Sequence, residues 1–373
     1  MKAATLSRWE RRLRPIITRL SPPLVVEKYS QGRLDFLKRL AEEDPPRVYH
    51  PPQGLERVLW GIKFRGPLMN AAGMFKNGEC YRMVAQQGAA AYLGGTGTWN
   101  ARRGNEKEGI YLPFVPYPRS HAASNWLGLP NDSDLFNVQR AAQMERVADC
   151  PVGWSIMASP DFKGEEQLKY LVKGMIVYEL AGVDFLEMNE SCPNTSHGKP
   201  QDGGLAHRLQ YVQQHFLNRR DKNLPVIVKF SNDTEISQVP ALLDMLFKLG
   251  YDGVNFGNTS TAYSQRREKI HPLEQGLYDY FTNTFGGGVS GGPLRENSLE
   301  LAARAVEYVR AGSPPQEFQV IRTGGIETWK DIQDSEQAGI KLNQWFTGYF
   351  NNFALYGHDV YKILFGKSEC FSK

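Results

Sequence analysis

Sulfur is scarce in this chain. Cys80, Cys150, Cys192 and Cys370 are its four cysteines in 373 residues. None forms a CxxC pair or adjoins paired histidines, so the pattern indicates neither a zinc site nor an iron–sulfur cluster, and no metal is expected. So few thiols fit a reducing, cytoplasmic setting. Long apolar runs are missing too. None approaches the ~18 residues that span a bilayer, and the N-terminus lacks the continuous apolar core of a signal peptide, so the chain is expected to be soluble or to lie on a surface. Nor is there much net charge: 44 Lys and Arg against 40 Asp and Glu leave +4, which gives no overall electrostatic support for nucleic-acid binding. What is present, 41% hydrophobic residues with 36 Gly and 22 Pro, is the composition of a folded, loop-rich α/β protein. The length suits one large barrel with additions as well as two ordinary domains.

From about residue 68 onward, short β-prone runs alternate with stretches of helical period, the pattern of repeated βα units on a parallel sheet. Candidate strands fall at 67–72, 91–95, 152–157, 184–189, 225–230, 253–256, 318–322 and 343–347. Several are continuously apolar, such as Val226-Ile227-Val228, as expected of strands covered on both faces. Eight such units predict a (β/α)8 TIM barrel over residues 46–373. One of its helices is expected after Asn297, a suitable N-cap, with Leu299, Ala302, Val306 and Val309 at the spacing of a buried face.

The first 45 residues differ in kind and predict an N-terminal helical extension. Residues 1–20 carry Lys2, Arg8, Arg11, Arg12, Arg14 and Arg19 against Glu10 alone. Leu6, Trp9, Leu13, Ile16, Ile17 and Leu20 are predicted to share one helical face, although Pro15 weakens that helix. Ser21-Pro22-Pro23 then breaks it before a second helical run to about Leu40. This basic hairpin fits a membrane surface; it fits equally a helical pair packed across the bottom of the barrel with its arginines solvated.

In a β/α barrel the working groups collect where strands end. Gly73 and Lys76-Asn77-Gly78-Glu79 follow the first strand, Thr96 and Thr98 the second, and a separate loop holds Asn125 to Asn131. Ser155 lies in the third strand, Lys229 ends the fifth, and Asn258-Thr259 the sixth. The fourth runs into Met188-Asn189-Glu190-Ser191-Cys192-Pro193-Asn194-Thr195. Taken alone, that segment is a strand-to-loop turn or a site with a thiol between two carboxamides. Gly286 to Gly292, Thr323-Gly324-Gly325 and Thr347-Gly348 let backbone N–H groups approach a phosphate. Lys229 is expected to point into the barrel mouth, where its ammonium needs an anionic or electron-rich partner such as a flavin. Lys76 with Asn125, Asn189, Asn194 and Asn258 suits a small planar ligand bearing carbonyls, ring N–H groups and a carboxylate.

In order and in register, these pieces resemble the dihydroorotate dehydrogenases, FMN-dependent β/α barrels of pyrimidine synthesis. The resemblance runs from about residue 61 to about residue 365. It implies FMN with its phosphate near Gly291, Gly324, Gly325, Thr347 and Gly348, and its ring near Ala72, Gly73, Thr96, Ser155 and Lys229. It implies dihydroorotate held by Lys76, Asn125, Asn189, Asn194, Asn258 and Thr259, with Cys192 at the catalytic-base position, so that orotate forms as hydride passes to the flavin. The family has two branches, and this chain mixes them. Cys192, the run Ser124 to Asn131 and His197-Gly198-Lys199-Pro200 are similar to the soluble branch, which uses fumarate or a partner subunit. The helical extension, Lys76 in its run and Gly287 to Leu294 are similar to the membrane-associated, quinone-reducing branch, although residues 109–119 lack that branch's tunnel arginines. Quinone is the expected acceptor, with residues 1–40 on the inner face of a membrane. The readings that compete are a fumarate-using enzyme, a flavin barrel acting on another pyrimidine, and a non-catalytic interaction protein.

Overall fold

The computed structural model describes residues 2–190, 204–220 and 224–367. Eight parallel strands form the sheet: β1 (Leu68–Asn70), β2 (Tyr92–Gly97), β3 (Val152–Ile156), β4 (Phe185–Asn189), β5 (Val226–Ser231), β6 (Gly253–Asn258), β7 (Gln319–Thr323) and β8 (Leu342–Trp345). They follow one another in chain order around the sheet, and β8 pairs with β1, Trp345 opposite Asn70. At the remaining seam, between β1 and β2, the buried Asn70 carboxamide donates to the Leu93 carbonyl at 2.8 Å and accepts from the Leu93 N–H at 3.2 Å. Just below, the Ala90 N–H donates to the Leu68 carbonyl. The result is a nearly closed (β/α)8 barrel with helices outside, as its apolar strands predict.

Side chains alternate across each strand, so every second residue faces the barrel interior. The lower interior is apolar: Met69, Leu93, Phe185, Ile227 and Ile321 cluster there with Trp60 and Phe64. Those two aromatics belong to a hairpin of Arg57–Leu59 and Ile62–Phe64, and the Trp60 indole N–H is tied to the Asp252 carbonyl. Two residues higher the chemistry changes. Glu187 follows Phe185, Lys229 follows Ile227, Asn255 follows Gly253, Thr323 follows Ile321 and Gln344 follows Leu342. The period-two register therefore puts a polar layer directly above an apolar plug.

Two additions position the site. Phe114–Tyr117, Ala122–Asn125 and Gly288–Gly291 form a three-stranded antiparallel sheet at the barrel mouth. Against it packs the N-terminal hairpin, α1 (Ala3–Ile17) and α2 (Pro22–Glu42). Helix α1 lies on the helix Thr347–Tyr356, and α2 on the strand Phe114–Tyr117, where the Ser30 hydroxyl accepts from the Phe114 N–H. The hairpin thus sits beside the mouth, away from the Trp60 plug. Pro15 lies inside α1 and gives no N–H to its ladder, and the helix ends two residues later at Ile17. On α1, Leu6 and Ile17 border a cavity with Glu10 and Arg14, while Trp9, Leu13 and Ile16 are exposed. Asn297 needs a correction. The helix starts at Arg295 on the turn Gly292–Leu294, and the Asn297 side chain donates instead to the Asn232 carbonyl.

Candidate active site

A cavity at the C-terminal mouth of the barrel is lined by Ala72, Gly73, Lys76, Thr96, Asn125, Asn189, Lys229, Asn258 and Thr259 on one side. Its other side is Gly291, Gly324, Gly325, Thr347 and Gly348. These are the residues that the resemblance implies for cofactor, substrate and base, with three exceptions. Cys192 and Asn194 fall outside the described residues. Ser155 is buried behind the wall, its hydroxyl 3.0 Å from that of Thr96.

A line of hydrogen bonds orients the carboxamides. Asn258 Nδ2 donates to Asn189 Oδ1 at 3.1 Å, Asn189 Nδ2 donates to Thr96 Oγ1 at 3.2 Å, and Thr96 meets Ser155. Asn258 Oδ1 in turn accepts from the Thr259 N–H at 2.9 Å. Such a line fixes which end of each amide is presented, and so which ligand edge can be read. Lys76 is held by its backbone. Its carbonyl accepts from the Gly95 N–H, and the Glu79 carboxylate takes the N–H groups of Lys76 and Asn77. Glu79 and Asn77 therefore shape the turn, leaving Lys76 as the member of that run on the cavity.

The glycine side is a cradle built for backbone approach. A Cβ at Gly348 would land on the Ile326 carbonyl, and one at Gly291 on that of His121. Gly325, at φ +71°, would place its Cβ 2.5 Å from the Arg295 Cα. The helix Thr347–Tyr356 starts here with no side-chain cap, so its first N–H groups and dipole face an anion. The Thr347 and Ser290 hydroxyls meet at 2.9 Å on the same rim. Together they fit a phosphorylated cofactor.

Asn232 was not singled out in the sequence. It lines the cavity, donating through Nδ2 to the Asn258 carbonyl at 2.5 Å, while its buried Oδ1 finds no partner among the described residues. A buried acceptor without a donor points to a ligand N–H or hydroxyl. Its place just past the end of β5 was the available signal. Gln344 was missed for a different reason: it lies within β8, and only the barrel register brings it to the floor.

Lys229 needs a correction. Its ammonium already has an anion in the protein: Nζ lies 3.2 Å from Glu187 Oε1, both side chains being buried. Glu187 Oε2 also accepts from Asn255 Nδ2 at 2.9 Å and from Gln344 Nε2 at 2.8 Å. Neighbouring strands supply what a single strand could not reveal.

Behind the Asn125 loop, Asn131 binds Thr98, and Asp134 accepts from the Tyr178 hydroxyl at 3.1 Å. Burial pushes the Asp134 carboxyl up to about 7, the Tyr178 bond opposing it. The folded chain thus keeps a proton that the unfolded chain releases near pH ~3.9. Its stabilising share is complete below that pH and is lost as pH climbs to about 7. Relative to wild type, Asp134→Asn is expected to gain ~4 kcal/mol in urea unfolding between pH 4 and 7. A flat difference across that range would show an unshifted carboxyl.

A second cavity, about 270 Å³, lies between the hairpin and the mouth. Leu6, Ile17, Phe36, Phe114, Pro116 and Phe350 give it apolar walls, and it shares Phe346 and Thr347 with the first cavity. Its charged groups come from the hairpin. Arg14 Nε donates to Glu10 Oε1 at 2.7 Å, and the Tyr29 hydroxyl donates to the same carboxylate oxygen at 2.9 Å. Burial opposes the charge on Arg14, but Glu10 outweighs it and raises the guanidinium above its ordinary value. Burial, then Glu10, pushes the Tyr29 phenol well above its usual range. Arg33, over the Phe114 ring, is pulled down to about 10 by burial. Arg14 and Arg33, one from each helix of the hairpin, are thus the arginines bordering this cavity.

Known proteins resemble this chain in sequence and in fold. The "Dihydroorotate dehydrogenase" family model matches residues 54–363. The protein named dihydroorotate dehydrogenase (quinone) of Aliivibrio fischeri is 28% identical over 300 residues, 78% of this chain and 81% of its own length. That of Methylobacillus flagellatus is 28% identical over 334 residues, 87% and 91% of the two chains. The crystal structure of ligand-free DHODH from Eimeria tenella superposes with a TM-score of 0.75 at 20% identity, over 90% of this chain and 92% of that one, which speaks to the fold. Because the family model covers well over half of its residues, the chain belongs to the dihydroorotate dehydrogenase family.

Proposed function

We propose that this protein oxidises dihydroorotate to orotate in pyrimidine synthesis, using FMN in the first cavity and a membrane quinone as final acceptor through the second. The observation that carries the reading is the junction of the two cavities at Phe346 and Thr347: one is lined by carboxamides, a lysine and a phosphate cradle, the other by apolar walls with a few polar groups. FMN supplies the hydride acceptor. Gly291, Gly324, Gly325, Thr347 and Gly348 hold its phosphate, and Ala72, Gly73, Thr96 and Lys229 border its ring, with Ser155 supporting Thr96. Lys76 pairs with the substrate carboxylate. Asn125, Asn189, Asn194 and Asn258, with Thr259, read the carbonyl and N–H edges of the pyrimidine. The Cys192 Sγ takes the C5 proton, an assignment resting on the family motif.

The acceptor reading is supported by the second cavity and by relatives named as quinone enzymes, and these outweigh the soluble-branch likeness of Cys192 and its companion runs. Among the described residues no helix is long and apolar enough to cross a membrane. Helix α1 instead presents Trp9, Leu13 and Ile16 outward beside Arg8, Arg11 and Arg12, a face suited to an anionic lipid surface. Residues 1–45 then form a unit for acceptor delivery and 46–373 the catalytic barrel.

Purified protein is expected to carry flavin whose visible absorbance bleaches when dihydroorotate is added without oxygen; colourless protein, or no bleaching, refutes the reading. Gly32 tests the acceptor. It borders the second cavity, and a Cβ there meets nothing within 4 Å. Gly32→Phe is therefore expected to fold, to bleach normally, and to raise the KM for ubiquinone or menaquinone by about tenfold, the cost of ~1.4 kcal/mol of lost binding. Unchanged quinone kinetics would place the acceptor elsewhere.

A further inference from the structure

Lys229 borders the first cavity, and Glu187 stands behind it. In the register of β4 and β5, Lys229 is level with Asn189, whereas Glu187 is level with Ile227, two residues deeper. The ammonium reaches back to the carboxylate at 3.2 Å. That carboxylate accepts from Asn255 and Gln344 as well, and the Thr323 hydroxyl closes the layer, 3.0 Å from the oxygens of both amides. Lys229, Asn255 and Gln344 all donate to the Glu187 carboxylate. Both residues of the pair are nearly solvent-free, Glu187 at 1% and Lys229 at 4% exposure, where charge acts with little screening.

From this we infer that Glu187 is a positioning residue that tempers the Lys229 charge and so lowers the electron affinity of the flavin above it. The inference rests on the proposed seating of FMN in this cavity. A lone ammonium beside the ring would favour the reduced flavin, whose negative charge gathers near N1. A carboxylate one layer below cancels part of that field and also holds Nζ drawn downward. The chain thereby keeps a cation in contact with the ring while limiting how tightly the ring retains its electrons. For an enzyme that must pass electrons on, that balance favours the second half of the cycle.

The test is the flavin midpoint potential, measured by equilibration with a reference dye, in wild type and Glu187→Gln. Both proteins are first checked for bound flavin and for bleaching by dihydroorotate. Wild type failing that check refutes the seating of FMN and not the role of Glu187. With flavin bound, Glu187→Gln is expected to be more positive, its reduced-to-oxidised ratio at fixed potential rising about tenfold, equivalent to ~30 mV for a two-electron couple. An unchanged or more negative potential overturns the inference. Glu187→Asp covers the case in which the Gln variant does not fold. It keeps the charge but withdraws it from Nζ by one methylene, so a smaller positive shift is expected and no shift counts against the role. A purely structural Glu187 would alter flavin content or unfolding while leaving the potential where it was.

Discussion

Cys192→Ala protein is expected to keep its flavin, bind orotate with the usual shift of the flavin spectrum, and fail to bleach with dihydroorotate. Removing a positioned general base costs typically about 10²–10⁴-fold, and no other proton acceptor is assigned to C5 here, so the upper end is expected in stopped-flow reduction under anaerobic conditions. The wild-type reaction should accelerate with rising pH, because a free thiol ionises near ~8.5 and the thiolate is the acceptor. Cys192→Ser is expected to retain partial activity with its pH dependence moved higher, since a hydroxyl surrenders its proton less readily. Reduction of Cys192→Ala at the wild-type rate would remove Cys192 from the mechanism and return the 191–195 segment to its reading as a turn.

The second large effect is expected at the cradle. In Gly348→Ala the new methyl meets the Ile326 carbonyl, a backbone atom with no rotamer to yield. The helix start at Thr347 must shift, taking its uncapped N–H groups away from the anion. Overpacking of this kind costs ~1–3 kcal/mol, and its burden falls on the cofactor, so flavin released per chain on heat denaturation should fall at least about tenfold when free FMN is limiting. Gly276→Ala is the matched control. Gly276 lies in the helix Pro272–Thr284 with nothing within 4 Å of a Cβ, so full flavin content is expected and stability should rise by ~0.5–1 kcal/mol. Normal flavin content in Gly348→Ala would place the phosphate elsewhere on the rim.

The barrel was legible because its strands announce themselves. Val226-Ile227-Val228 and its counterparts are apolar on both faces, and in a barrel with this simple order the end of each strand is also an address in the site. That is why Lys76, Asn189, Asn258 and the glycines could be collected along the chain and found around one cavity. What stayed hidden depends on neighbours distant in sequence. The partnership of Lys229 with Glu187 follows from the stagger of two strands, and Gln344 joins them from a third. The pairing of Glu10 with Arg14 and Tyr29 stayed hidden for a related reason: only the packing of the hairpin beside the mouth brings the three to one cavity. Asn297 looked like a cap by residue type, whereas the preceding Gly292–Leu294 turn had already started the helix.

The Trp60 plug has a consequence for traffic. With Leu59, Trp60 and Phe64 filling the lower end, the barrel formed by the described residues is a blind vessel with one rim. Substrate, acceptor and every proton exchanged with solvent must cross that rim, and the three-stranded sheet divides it, Asn125 on one bank and Ala122 and Ala123 on the other. Two reactants as unlike as a charged pyrimidine and an oily quinone can thus approach one cofactor from separate sides of a single opening, without either crossing the other's path.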